Sequence, residues 1–298
     1  MSEKCLNLIE VATAAHERKT WDDAAVRWIS EKAGKASIHS DQCILRWLAP
    51  YLNGLPLDKI DRSVVQKLTD TKLKSGAANA TVNRMLALLR AILRRAAFDW
   101  EWLDAVPKVR LLKEPTRRVR FLSAAEATRL LEELPFHLAQ MAAFSLATGL
   151  RKSNVTGLLW AQIDLRRCTA WIHPDQSKTR KAIAVPLNRD AMRVLHVQLG
   201  SHPTHVFSFA GNSVCKVSTA AWKKALRRAG IEDFRWHDLR HTWASWHVQS
   251  GTPLNVLQEM GGWETQAMVR RYAHFSSQHL AAYAEMLPSL SQHAAVKA

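Results

Sequence analysis

GGWETQAMVRRYAH, residues 261–274, is the stretch on which the reading of this chain turns. Two glycines precede an indole, and Tyr272 follows between Arg271 and an alanine–histidine pair. The chain has only three tyrosines. A phenol among cations is either a packed core residue or an oxygen kept in a positive field. Which one it is depends on what the rest of the chain can bring to it.

Upstream lies RWHDLRHTWASWH, residues 235–247. His237 and Arg240 are three apart and share a face of a helix expected over 237–250. His237 and His241 are four apart, the spacing of a zinc-protease helix, but that pattern requires glutamate where Asp238 stands, and no third ligand is near. No metal site is assigned. In ATGLRKSNVTGLLW (147–160), Gly149 closes a helix and Arg151 comes just past the turn. In DQSKTRK (175–181), Lys178 sits at the tip of a polar turn between two expected strands. Singly these are ordinary: arginines after turns are mostly solvated, lysines are common in turns, Trp263 could plug a core and Tyr272 could pack. Their order within one basic half of the chain is what gives them joint meaning.

The bulk properties narrow the partner. The chain has 298 residues, 47% hydrophobic and 23% charged, which suits a globular protein of two domains. It shows no long apolar run and no signal segment. Cys5, Cys43, Cys168 and Cys215 form no CxxC pair, so neither a zinc site nor a disulfide framework is expected, and a reducing cytoplasm is the expected location. Lys plus Arg is 42 against 26 acidic residues, a net charge of +16. Both halves are basic. That excess points to a polyphosphate partner, because Lys and Arg neutralise phosphates and release counterions.

The expected architecture is mainly α. Helices are predicted over 20–34 and 40–48, from a lead-in at 57–61 up to about 74, and over 78–102, making a small all-helical domain. Pro107 and Pro115 mark a basic linker. A second domain, mostly helical with a small β-sheet, has helices over 123–134, 137–147, 214–229, 237–250 and 253–260, and strands over 159–164, 168–173 and 182–186. The expected division is a 1–19 tail, a 20–106 helical DNA-binding domain, a 107–120 linker and a 121–298 catalytic domain.

TGLRKSNVTGLLW, QSKTRKAIAVPL, HDLRHTWAS and GGWETQAMVRRYAH together resemble the tyrosine recombinases, or phage integrases, in a compact form without an arm-binding domain. The resemblance runs from about Thr20 to the end. It implies that Arg151 is the first catalytic arginine, Lys178 the lysine of the β-hairpin, and His237 and Arg240 the His-x-x-Arg pair. Trp263 stands where many members have histidine, and Tyr272 matches the nucleophile. Asn154 departs from the family, where an acidic residue often stands. The implied reaction is metal-free and needs no ATP or other cofactor. Arg151 and Arg240 neutralise the transition state, Trp263 donates an N–H, Lys178 protonates the leaving 5′ oxygen, and His237 is the nearest expected acceptor for the Tyr272 proton. Implied partners are double-stranded DNA clamped from two sides, three more copies in a homotetramer on paired sites, and accessory DNA-bending or directionality proteins. Location would be cytoplasmic, on the nucleoid, with no membrane partner. The amphipathic tail HLAAYAEML (279–287) is expected either to dock on a neighbouring subunit or to pack within its own chain. Two other outcomes fit the same pattern, a type IB topoisomerase-like relaxer and a DNA-binding protein that does not cut.

Overall fold

The computed structural model describes residues 18–115, 120–176, 181–273 and Met286. The chain divides into two compact units, Met1–Thr116 and Arg117–Ala298.

The first unit is helical. Helix α1 (Trp21–Glu31) starts with a reciprocal capping box between Thr20 and Asp23, and buries Trp21, Ala24 and Trp28 on one face. Helix α2 (Ile38–Leu52) is longer than expected, and α3 (Arg62–Lys74) is capped by Asp61, whose carboxylate accepts from the Val64 N–H at 2.9 Å. Helix α4 (Asn79–Phe98) is the centre of the unit, with Leu86, Leu89, Ile92 and Leu93 fully buried. It stops at Phe98 and not at Trp102. The N–H groups of Asp99 and Trp100 both turn back onto the Arg95 carbonyl, and Trp100 folds into the core. The proline-marked stretch expected as linker lies along α4. Asn83 donates to the Leu112 carbonyl at 2.9 Å and accepts from its N–H at 2.8 Å, while Val109 joins the core.

The second unit is built on α6 (Phe136–Thr148), which is apolar nearly all round because it is covered on several sides. It packs against α5 (Ala124–Glu133), α8 (Arg189–Gln198) and α10 (Asp238–Gln249). Helix α5 has the Ser123/Glu126 capping box that its spacing predicts. The remaining helices are α7 (Lys152–Thr156), α9 (Ala220–Arg228), α11 (Leu254–Gly261) and α12 (Gln266–Arg270). A three-stranded antiparallel sheet is ordered β1 (Ile163–Asp164), β2 (Thr169–Ile172), β3 (Ile183–Pro186), with Thr169 opposite Pro186 and Ile172 opposite Ile183. A two-stranded ribbon pairs β4 (Ser208–Phe209) with β5 (Asn212–Ser213).

Three sequence expectations are corrected here. The strand over 159–164 is reduced to Ile163–Asp164, because Trp160–Gln162 forms a 3₁₀ turn. The Gln162 side chain does the pairing in its place, accepting from the Leu159 N–H at 3.0 Å and donating to the Trp171 carbonyl at 2.7 Å. The helix expected from 214 begins only at Ala220, where Thr219 caps it. Helices α7, α8 and α12 were not expected at all. Cys43, Cys168 and Cys215 are free and exposed. No helix among the described residues is long and apolar enough to cross a membrane.

Candidate active site

Helix α10 supplies the frame. Its first residue, Asp238, is buried and accepts from the Arg235 N–H at 2.8 Å, which ties the helix start to the residues before it. His237 stands at the N-cap position with its side chain exposed and making no capping bond, and Arg240 points inward one turn later. Arg240 is 5% exposed, yet it has no carboxylate partner among the described residues. Its two terminal nitrogens donate to the carbonyls of Gly149 and Gly261, each at 2.6 Å. These carbonyls close α6 and α11, where helix ends carry unsatisfied oxygens and partial negative charge. They orient the guanidinium without neutralising it. Burial, then the neighbouring Arg151, pulls the Arg240 pKa down to about 9.

The two glycines before Trp263 now have a reason. A Cβ on Gly261 would lie 2.0 Å from the Trp263 ring, so that glycine leaves space for the indole to fold back. Gly262 takes the left-handed conformation (φ 59°) that ends α11 and redirects the chain. The indole then lies under Arg240, with the guanidinium carbon 4.2 Å from the ring centroid, and stacks on Trp243 at 6.0 Å. Its N–H makes no hydrogen bond among the described residues. Arg151 follows Gly149 at the start of α7, half-buried, with a single long contact of 3.4 Å to the Gly262 carbonyl. Burial lowers its pKa as well.

Tyr272 comes just after α12 and is 1% exposed. Its ring packs with Trp243, Ala244, Leu257 and Val269 in a small separate core. Its oxygen lies 2.6 Å from His241 Nδ1. Burial pushes the phenol up to about 12, although Arg240 and Arg271 pull the other way. The expected pairing of Tyr272 with His237 is therefore corrected. The phenol docks beside the middle of α10, one turn beyond His237, and meets His241. The two imidazoles stand perpendicular, 5.0 Å apart. Burial, then His237, pushes His241 down to about 4.

Arg151, His237, Arg240, Trp263 and Tyr272 thus line one cavity of about 230 Å³, together with His241, Glu264, Met268 and Arg271. Five of the six residues singled out from the sequence meet there; Lys178 lies outside the described residues. What is described is the base of its hairpin. Asn154 is buried and donates to the Gln176 carbonyl at 2.9 Å, tying α7 to the 3₁₀ turn Pro174–Gln176 that follows β2. His241 and Arg271 were missed. Their signal was adjacency, one being next to Arg240 and the other next to Tyr272. A larger cavity of about 830 Å³ lies between α5, α6, α8 and α10. It contains none of the arginine cluster, so chemistry and not size marks the site. No cluster of three or more His, Cys, Asp or Glu suited to a metal occurs among the described residues. The tail at 279–287 falls outside the described residues except for Met286.

Residues 118–279 match the phage integrase family. The chain belongs to that family. It is 41% identical to the integrase of Salmonella phage P22 over 91% of this chain and 80% of that one. Among solved structures, this integrase resembles the Tn1549 transposon integrase in complex with a circular intermediate DNA, with a TM-score of 0.76, 16% identity, and coverage of 90% of this chain and 99% of that one. It also resembles a lambda integrase tetramer bound to a Holliday junction, with a TM-score of 0.72, 18% identity, and coverage of 91% and 81%. At such identities the likeness concerns the fold.

Proposed function

We propose that the small cavity is where this tyrosine-type site-specific recombinase cuts and rejoins DNA through a 3′-phosphotyrosine bond. One observation carries the reading: a phenol and the guanidiniums of Arg151 and Arg240 face one cavity, and neither arginine has an ion pair among the described residues. The missing counterion is a phosphodiester. Arg151 and Arg240 take up the charge that builds on its non-bridging oxygens, as donors fixed before the reaction begins. The Trp263 N–H donates to the same oxygens. The Tyr272 oxygen attacks phosphorus, and the 5′ oxygen leaves with a proton from Lys178. The new phosphotyrosine ester conserves the energy of the broken bond. A second 5′ hydroxyl reverses the step on another strand, with no ATP and no metal.

In this reading the unit that ends at Thr116, with 107–115 packed into it, binds DNA, and the unit from Arg117 carries the catalysis. Four copies act on two sites in the cytoplasm, on the nucleoid, with DNA-bending or directionality proteins as possible helpers. The competing outcomes are relaxation without exchange, and binding without cutting.

A suicide substrate nicked beside the scissile phosphate separates them. The wild-type protein should be trapped covalently, and paired sites should give recombinant product. Tyr272→Phe should bind DNA normally and give no covalent complex, while Tyr51→Phe and Tyr283→Phe stay active. Capture by the Tyr272 variant would overturn the assignment. Lys178→Ala should cleave a normal site poorly, by about 100-fold. A 5′-bridging phosphorothioate should restore it, because a thiolate leaves without a proton.

A further inference from the structure

We propose that His241, one turn beyond the His-x-x-Arg histidine, takes the proton from Tyr272 as the phenol attacks. The inference rests on the reading of Tyr272 as nucleophile.

Geometry carries it. Nδ1 of His241 is the hydrogen-bond partner of the Tyr272 oxygen, at 2.6 Å. In this proposal the phenol O–H donates to Nδ1, which presents its lone pair, and the ring proton sits on Nε2. The tyrosine is buried beside α10, its ring lies 5.8 Å from that of Trp263 between centroids, and its hydroxyl is held by the His241 contact. His237 lies differently. It is exposed at the helix start, on the same cavity as Arg151 and Arg240, and has no hydrogen bond to the Tyr272 oxygen among the described residues.

The groups facing His241 explain why it is neutral and ready to accept. On its own helix are His237, Asp238 and Arg240; Arg271 and Tyr272 approach from the chain after α12. Burial and the cations hold the imidazole uncharged, with Asp238 opposing them. Its low basicity in the free protein means that the proton does not move first. As the Oη–P bond forms, the O–H bond breaks and its proton passes to Nδ1. The P–O5′ bond breaks, and the 5′ oxygen takes its proton from Lys178. An entering phosphodiester also brings negative charge among Arg151, Arg240 and Arg271, which offsets the field that keeps His241 neutral. In rejoining, His241 returns the proton to the phenol.

The test uses full-length protein and nicked suicide DNA at saturating concentration, in a single turnover. His241→Ala removes the acceptor. His241→Asn places an amide oxygen close to the position of Nδ1, so it keeps a hydrogen bond but cannot take a proton. Both should slow covalent capture by about 100-fold or more with DNA affinity unchanged. A fluorotyrosine installed at position 272 alone has a more acidic phenol and should bring both variants back toward the wild-type rate. It should do little for His237→Ala. A wild-type rate in His241→Asn would overturn the proposal, since a hydrogen bond would then suffice. So would slow variants that fluorotyrosine does not rescue, or rescue confined to His237→Ala. If the alanine variant does not fold, the asparagine variant decides alone. Covalent capture by Tyr272→Phe would instead refute the nucleophile, whatever His241 does.

Discussion

Each unit contains a cluster of guanidinium and indole, and the two end differently. In the first unit, Arg27 lies 4.9 Å from the rings of both Trp100 and Trp102, and its charge is met by Glu31 at 3.0 Å. Glu31 also bonds Arg95 and the Trp100 N–H, so one carboxylate closes the whole knot. In the second unit, Arg240 covers Trp263 in much the same way, but only backbone carbonyls hold it. Glu264 lines the same cavity without forming an ion pair with an arginine among the described residues. Stacking of arginine on tryptophan is thus no mark of a site. The mark is a buried cation whose partners fix its direction and leave its charge open. Burying such a charge is costly unless something pairs with it.

The largest effect should come from breaking the open cluster. Arg240→Ala should lower covalent capture by about 1000-fold. Arg240→Lys should do little better, because one ammonium cannot fork across two carbonyls and cover the indole together. Arg27→Ala, the counterpart in the closed cluster, should leave capture at saturating DNA within about two-fold, with only stability reduced. Equal losses in the two would mean that both clusters are structural. Single-turnover rates on the nicked substrate decide it.

A smaller loss follows from crowding the indole without touching a charge. In Gly261→Ala the new methyl meets the Trp263 ring, which must move off Arg240. Capture should fall by roughly 10- to 100-fold while salt-sensitive DNA binding stays as it was, since Arg151, Arg240 and Arg271 all remain. Unchanged capture would show that the indole is not needed where it lies. Smaller again is Glu31→Ala. It should cost about 1 kcal/mol of stability, read by denaturant unfolding, and leave the cleavage rate unaltered.

The two clusters were not equally legible in the sequence. The helices with strong periodicity and caps were readable: Thr20/Asp23 and Ser123/Glu126 mark the starts of α1 and α5 where the structure has them. The short α7 and α12 carry too few residues to show a period, and they are held by their surroundings. Helix α8 carries a legible signal, Asn188 capping the Ala191 N–H with Val194 and Leu195 in helical step. In the site, Arg151, His237, Arg240, Trp263 and Tyr272 were found because the motifs name them. His241 shows in the local pattern only its spacing of four from His237. Its bond to Tyr272 spans 31 positions and depends on α12 returning to the middle of α10, which no local pattern encodes. The Glu31 knot was equally hidden, since Trp100 reaches it across 69 positions.

The smallest expected effect separates the units by acid. Burial depresses the pKa values of His137, His241 and His247, all in the second unit. A histidine depressed in the folded state binds its proton first in the unfolded chain. The unfolded state therefore gains protons as pH falls below the ordinary value of 6.5, while folded His241 stays neutral until about 4. By linkage, stability rises with pH wherever the unfolded state holds more protons. The contribution of these histidines is complete above 6.5, declines as pH falls, and is lost once pH has passed the folded values. Thermal unfolding should thus show the second unit weakening between pH 7 and pH 5, in a window where the carboxylates of the Glu31 knot are still ionised and the first unit holds. His241→Asn should flatten part of that slope, since the amide does not titrate. A slope that the asparagine variant leaves intact would mean that folding does not depress His241, so that burial beside Tyr272 is not what keeps its imidazole neutral.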